Sequence, residues 1–229
     1  MSQKYGRTYH FPFSPGTTSD DRINRDYWQD IQQMEQLVHT EKLDGENNCL
    51  SVTGVYARSH AAPTESPWTQ EIRNRWHLIK NDLENMEIFG ENLFAIHSIR
   101  YERLEEYFFV FAVRCMDMWL SWDEVKFYAS FFDFPTVPEL GKQFVEGIEE
   151  DLFKKQIITW AEETSIFASF DTVTESACSR EGVVSRNIGE YKVDDFSHNV
   201  FKYVRKGHVK TGEHWIRNWK RAKLIWENN

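Results

Sequence analysis

The sequence predicts an α+β fold in which antiparallel sheets are flanked by helices, and three observations lead there. Short runs of β-branched and aromatic residues, such as Tyr107-Phe108-Phe109-Val110-Phe111-Ala112-Val113, read as buried strands. Between such runs, apolar residues recur at helical spacing, as in Trp68, Ile72, Trp76, Ile79 and Leu83. No internal repeat and no low-complexity linker divides the chain, so residues 1–229 are expected to form one domain.

In chain order, residues 4–22 carry Pro12, Pro15, Gly16 and a Thr-Thr-Ser-Asp-Asp run, which reads as an irregular arm. Tyr27, Ile31, Met34 and Val38 predict a helix over 24–37. Short strands joined by turns follow to residue 60, with Asp44-Gly45 as a hairpin-type turn signal and Gly54 as another. Ser66-Pro67 is a cap and first-turn pair for a helix over about 67–83. Strands are expected at 86–99 and 106–115, and Ser121-Trp122-Asp123-Glu124 is a capping box opening a helix to about Phe131. A helix over 149–163 has Leu152, Ile157 and Trp160 on its apolar side. Strands at 181–187 and 199–205 precede an amphipathic helix from Thr211 to Trp226 that carries Trp215, Trp219 and Ile225.

Composition narrows the class. The chain is 41% apolar, 15% aromatic and 28% charged, which suits a folded, soluble protein. No apolar run approaches a membrane span, and Met1-Ser2-Gln3-Lys4-Tyr5 lacks the apolar core of a signal peptide, so a cytoplasmic protein is expected. Cys49, Cys115 and Cys178 stand far apart, which fits reduced thiols better than a disulfide frame or a zinc site; Cys115 reads as a small core residue. The eight histidines show no His-Glu-x-x-His spacing, and no glycine-rich Walker loop is present. The net charge of −9 counts against binding nucleic acid over the whole surface. Residues 202–223, however, hold eight Lys/Arg against Glu213 alone, a local basic strip compatible with a confined phosphate site.

The stretch Lys42-Leu43-Asp44-Gly45-Glu46-Asn47 puts a potentially nucleophilic lysine two residues before an Asp-Gly turn. Four segments follow it in fixed order: Arg58-Ser59-His60, Phe89-Gly90-Glu91-Asn92, Glu181-Gly182-Val183-Val184 and Phe201-Lys202-Tyr203-Val204-Arg205. The series resembles the covalent nucleotidyltransferase superfamily, and within it the RNA ligase 2-type family. The N-terminal Arg7-Thr8-Tyr9-His10-Phe11-Pro12-Phe13-Ser14-Pro15-Gly16 and the segment 205–215 extend the likeness over about residues 4–216.

The resemblance implies a nucleotidyltransferase (adenylation) domain of ATP-grasp-like ligase type. It implies an ATP-dependent RNA ligase that joins RNA 3′-hydroxyl and 5′-phosphate ends through a lysyl-AMP intermediate and an RNA-adenylate, in RNA repair. Lys42 would be the adenylated lysine, and Asp44 and Glu181 would surround Mg²⁺ or Mn²⁺, which prefer oxygen ligands. Arg58 would contact phosphate, with a planar fork suited to it. Glu91, or less well Glu87, would hold the ribose hydroxyls. Phe111 or Phe109 would stack on adenine, with Glu41 on the adenine amino group and Asn47 beside the nucleotide. Lys202 and Mg²⁺ are the expected sources of positive charge that lower the Lys42 pKa toward a neutral, attacking amine. The fifth motif departs from the usual Lys-x-Lys, since Val204 stands where a second lysine is expected; Arg205, Lys206 and Lys210 are the expected RNA phosphate contacts. No separate OB or C-terminal helical domain is expected, and the protein should be a monomer acting on RNA ends, with a partner protein able to supply a missing RNA-binding domain. A DNA end-joining enzyme of the same chemistry and a non-catalytic RNA-end or nucleotide-binding module are the alternatives.

Overall fold

Strand alternation around Lys42 and Lys202 decides how the molecule is layered. The structure, a computed structural model, describes residues 2–207, 216 and 218–227. Its strands in chain order are β1 (Tyr9–His10), β2 (Gln36–Lys42), β3 (Glu46–Ser51), β4 (Gly54–Ala57), β5 (Met86–Asn92), β6 (Ile99–Tyr101) and β7 (Phe108–Cys115). They continue with β8 (Met118–Trp119), β9 (Glu139–Phe144), β10 (Ser169–Asp171), β11 (Gly182–Asn187), β12 (Tyr191–Lys192) and β13 (Val200–Val204). The α-helices are α1 (Tyr27–Ile31), α2 (Gln70–Ile79), α3 (Trp122–Phe131), α4 (Glu150–Glu162) and α5 (Phe196–Asn199). Two large sheets result, ordered β1-β13-β11-β2-β9 and β12-β8-β7-β5-β3-β4, with β10-β6 as a small third. All pairings are antiparallel except β1 with β13.

In the first sheet, Leu37, Val183, Phe201 and Tyr203 point to one face and pack with Tyr27, Ile31, Phe153 and Ile157 of α1 and α4. The alternate residues Val38 and Val200 belong instead to the core of the second sheet, with Phe89, Phe108, Trp119 and Trp122. The two sheets therefore face each other, and side chains on that inner face of the first sheet, Lys42 and Lys202 among them, are aimed between them. The helix α3 has the full capping box: Ser121 accepts from the Glu124 amide, and the Glu124 carboxylate accepts from the Ser121 amide.

Several expectations need correcting. The helix over 24–37 shrinks to Tyr27–Ile31, and from Gln36 the chain is the strand β2, hydrogen-bonded to β11 on one side and β9 on the other. Pairing on both edges outweighs a helical periodicity that only Tyr27 and Ile31 realise as helix. Asp44-Gly45 closes no hairpin, because β2 and β3 belong to different sheets. Gly45 is instead a place of close approach, where an added Cβ would lie 2.5 Å from the Asn92 carbonyl oxygen. The strand expected over 86–99 ends at Asn92. The C-terminal helix is not formed over 218–224, where the chain makes single bridges from Arg221 to Ala95 and Leu224 to Leu104. Trp215 and most of 208–217 lie outside the described residues. Trp219 docks its ring 6.0 Å from that of Trp68. Cys115 is half-buried rather than in the core. Among the described residues, no helix is long and apolar enough to cross a membrane.

Candidate active site

Between the facing sheets lies a cleft of about 400 Å³, and Lys42, Asn47, Arg58, Glu91, Phe111 and Lys202 all line it. Strand register explains the gathering. Lys42 pairs with Gly182, and Lys202 pairs with Val184, two residues along on the same face of β11. Across the cleft, Asn47 on β3 sits directly opposite Glu91 on β5. Phe111 owes its position to a β-bulge. Phe89 pairs with Ala112 and Gly90 with Val110, so Phe111 has no opposite number and its side chain is turned into the cleft. Phe109, the alternative, is buried against Phe167 at 5.0 Å.

The Lys42 Nζ lies 2.5 Å from Glu181 Oε1. Burial alone would lower the Lys42 pKa, but the carboxylates of Glu181, Glu91 and Asp44 outweigh it and hold the value above that of an ordinary lysine. With no ion bound, then, these carboxylates keep Lys42 a protonated ammonium, and the lowering expected of Lys202 together with a metal ion is not realised by Lys202 alone. Lys202 shows the reverse. Burial and then the charge of Lys42 lower its pKa, and Asp21, 3.3 Å away, works against them. Burial raises the Glu91 pKa to about 8, while Lys42 and the Gly45 amide, donating at 3.1 Å, oppose the rise.

Other residues singled out in the sequence stand elsewhere. Asp44 is 8% exposed, and its Oδ2 accepts from the Ser98 and Ile99 amides, both at 2.8 Å. It fastens β6 beneath the site and is not among the residues lining the cleft. Glu41 borders the cleft, but its carboxylate lies 3.8 Å from Arg180 Nε, on the α4 side of the sheet; burial raises its pKa to about 7. Glu87 is held by Arg114, away from the cleft. Arg205 donates its amide to the Glu181 carbonyl and is not among the residues lining the cleft. Lys206 is exposed, and Lys210 lies outside the described residues.

Three contributors escaped sequence reasoning. Asp21, from the arm read as irregular, lies 3.1 Å from His10 Nε2 as well as beside Lys202. Tyr5 from the same arm also lines the cleft, with its ring 5.0 Å from that of Phe111. Arg186 is 6% exposed; it donates to the Phe111 carbonyl and, at 3.1 Å, to Thr40 Oγ1. Alternation from Val184 puts Arg186 on the Lys42 face, a signal present in the sequence. Nothing local marks Asp21.

A search of curated proteins gives no match. Among solved structures, an apo mutant of Naegleria gruberi RNA ligase superposes with a TM-score of 0.55 at 18% identity, over 86% of this chain and 57% of that one. A mutant of the same ligase with ATP and manganese gives 0.54 at 17%, over 89% and 60%, and the ligase with pyrophosphate gives 0.54 at 16%, over 90% and 61%. The chain thus spans about three fifths of the length of these structures, and the likeness is one of fold. The RNA ligase family model matches residues 35–204. With some three quarters of the sequence matched, the chain belongs to the RNA ligase family.

Proposed function

We propose that the protein is an ATP-dependent RNA ligase of the RNA ligase 2 type, acting on RNA ends in repair, with Lys42 as the residue that becomes adenylated. The observation that carries this reading is the Lys42 ammonium held by Glu181 at the floor of a cleft that also presents Arg58, Lys202, Glu91 and an aromatic ring. That set matches what nucleotidyl transfer requires: a nucleophile, cations for phosphate, a carboxyl for sugar hydroxyls and a face for a base.

In the first step the Lys42 Nζ gives up its proton and bonds the α-phosphorus of ATP as the bond to pyrophosphate breaks. Glu181, already hydrogen-bonded to Nζ, is the proton's nearest acceptor. Arg58 and Lys202 would hold the phosphates, Phe111 would stack on adenine, and Glu91 would receive the ribose hydroxyls. AMP then passes to an RNA 5′-phosphate, and the RNA 3′-hydroxyl displaces it. The donor set fits Mg²⁺ or Mn²⁺ through the carboxylate oxygens of Glu181; Asp44, whose Oδ2 is engaged by two backbone amides, would contribute through Oδ1 or through a metal-bound water. A bound divalent ion would neutralise charge at the phosphate and favour a neutral Lys42. Lys202 and exposed Lys206 are the described cations best placed to meet RNA phosphates.

Intact mass after incubation with ATP and Mg²⁺ tests the reading. One AMP should be gained by the wild type and not by Lys42→Ala. No gain in a folded wild type, with Mg²⁺ and Mn²⁺ both tried, refutes it. Sealing of a nicked RNA, compared with deoxyribonucleotides at the 3′ side, then separates RNA from DNA joining.

A further inference from the structure

A second cluster of chemically active side chains lies outside the cleft, where β3, the turn after β4 and the start of β5 meet. The Cys49 Sγ, a ring nitrogen of His60 and a carboxylate oxygen of Glu87 all lie within 4.8 Å of one another. Ser2 Oγ sits among them, 2.6 Å from His60 Nε2, 4.0 Å from Cys49 Sγ and hydrogen-bonded to Glu87 Oε1. A small polar atom thus already occupies the point on which the three side chains converge.

Each of the three is held in its direction. Arg114 Nε donates to Glu87 Oε2 at 2.7 Å, which leaves Oε1 turned toward the cluster. This is the kind of outer partner that orients a ligating carboxylate. The His60 ring is stacked on that of Tyr56 at 4.2 Å and 11°. Its backbone stands at φ 56°, a conformation that costs a non-glycine residue on the order of 1 kcal/mol and is concentrated at functional positions. Cys49 is 2% exposed, and burial raises its thiol pKa, so without an ion it is a protonated thiol.

We propose that Cys49, His60 and Glu87 bind a divalent cation of the zinc type, at a site separate from the oxygen-lined site of nucleotidyl transfer. One sulfur, one imidazole and one carboxylate form a donor set that selects zinc over magnesium. A tetrahedral zinc wants its ligands about 3.4 Å apart, so from separations within 4.8 Å the side chains need close inward by at most about 1 Å on binding. The S–H bond breaks as the S–metal bond forms, and the proton leaves to solvent. The fourth position falls to the Ser2 hydroxyl or to water. The ion would tie β3 and β5 to the turn directly after Arg58. The assignment rests on these residues alone and not on the ligase reading.

Cobalt titration of the full-length, untagged protein tests it. One equivalent of Co²⁺ should give a near-ultraviolet thiolate-to-cobalt band that Zn²⁺ displaces and Mg²⁺ does not. Cys49→Ser should abolish that band and weaken binding by at least about 100-fold. The double variant Cys115→Ser/Cys178→Ser should leave both unchanged. His60→Gln, at a half-buried position, should also weaken binding, and it supplies the test if Cys49→Ser fails to fold by circular dichroism. A missing band in the wild type, a band that survives Cys49→Ser, a Co²⁺ affinity unchanged by His60→Gln, or a band lost with Cys115 and Cys178 overturns the proposal.

Discussion

Replacing Asp21 with asparagine removes the counter-charge of Lys202 while keeping an oxygen near Nζ. At 3.3 Å and an effective dielectric of about 20, the gross attraction is roughly 5 kcal/mol. Solvent reaches both side chains, and the net value of such a charge-assisted bond is about 2 kcal/mol. Burial and Lys42 already lower the Lys202 pKa, and Asp21 is what opposes them. Its loss should therefore lower that pKa by a further ~1.5 units, at 1.36 kcal/mol per unit. With Lys202 proposed to hold phosphate as a cation, activity should fall as pH rises through its pKa. The assay is the rate of AMP adduct formation from pH 6 to 10 in wild type and Asp21→Asn. The alkaline limb should move to lower pH by about 1.5 units in the variant. His10, its other partner, has its pKa lowered to about 4 by burial and stays neutral across that range, so it does not blur the limb. Superimposable alkaline limbs would refute the argument that Asp21 sustains the charge of Lys202.

Three further outcomes follow from the packing. In Gly182→Ala the new Cβ would stand 1.9 Å from the Tyr203 carbonyl oxygen; forcing β11 from β13 should cost at least about 2 kcal/mol in urea unfolding and slow adduct formation. Burial lowers the His39 pKa to about 3 in the folded state. Its contribution to stability is whole above pH 6.5 and declines below it, as the unfolded ring takes up a proton that the folded one refuses. Between pH 7 and 5, wild type should lose about 2 kcal/mol more than His39→Gln, by parallel denaturant titrations at the two pH values. Ser121→Ala breaks the α3 capping box and should cost about 1 kcal/mol by thermal unfolding, with AMP adduct formation unchanged.

Where pattern and packing agreed, the sequence was readable. The α3 helix is specified by its own first turn, and the aromatic run of β7 can only be buried. Ordered short motifs were enough to single out Lys42, Arg58, Glu91 and Lys202, which the register then brings into one cleft. Legibility ended where long-range pairing decides. Gln36–Lys42 is a strand because β9 and β11 flank it, a fact no local window contains. The Lys42 pKa depends on Glu181 and Glu91, 139 and 49 positions away, and the sum of their charges over burial could not be anticipated. Asp44 has the residue type expected of a metal ligand, but that its Oδ2 accepts from the Ser98 and Ile99 amides, 54 and 55 positions away, is nothing a local window shows. Cys49, His60 and Glu87 come from three strands' neighbourhoods, so no Cys-x-x-Cys or His-x-His spacing announces them. The Phe111 bulge is likewise invisible, since one extra residue in a ladder leaves alternation intact on either side.

The parallel pairing of β1 with β13 separates the unit of family recognition from the unit of folding. The recognisable segment starts at residue 35, but Tyr5, Thr8 and Asp21 help to wall the cleft, and Phe11 fills the space beneath Lys202's own strand. A fragment trimmed to residues 35–204 would bare Phe201 and strand Lys202 without its carboxylate. Anyone shortening this protein for expression, or grafting it into a fusion, has to treat the first two dozen residues as a wall of the reaction vessel rather than as a leader to be discarded.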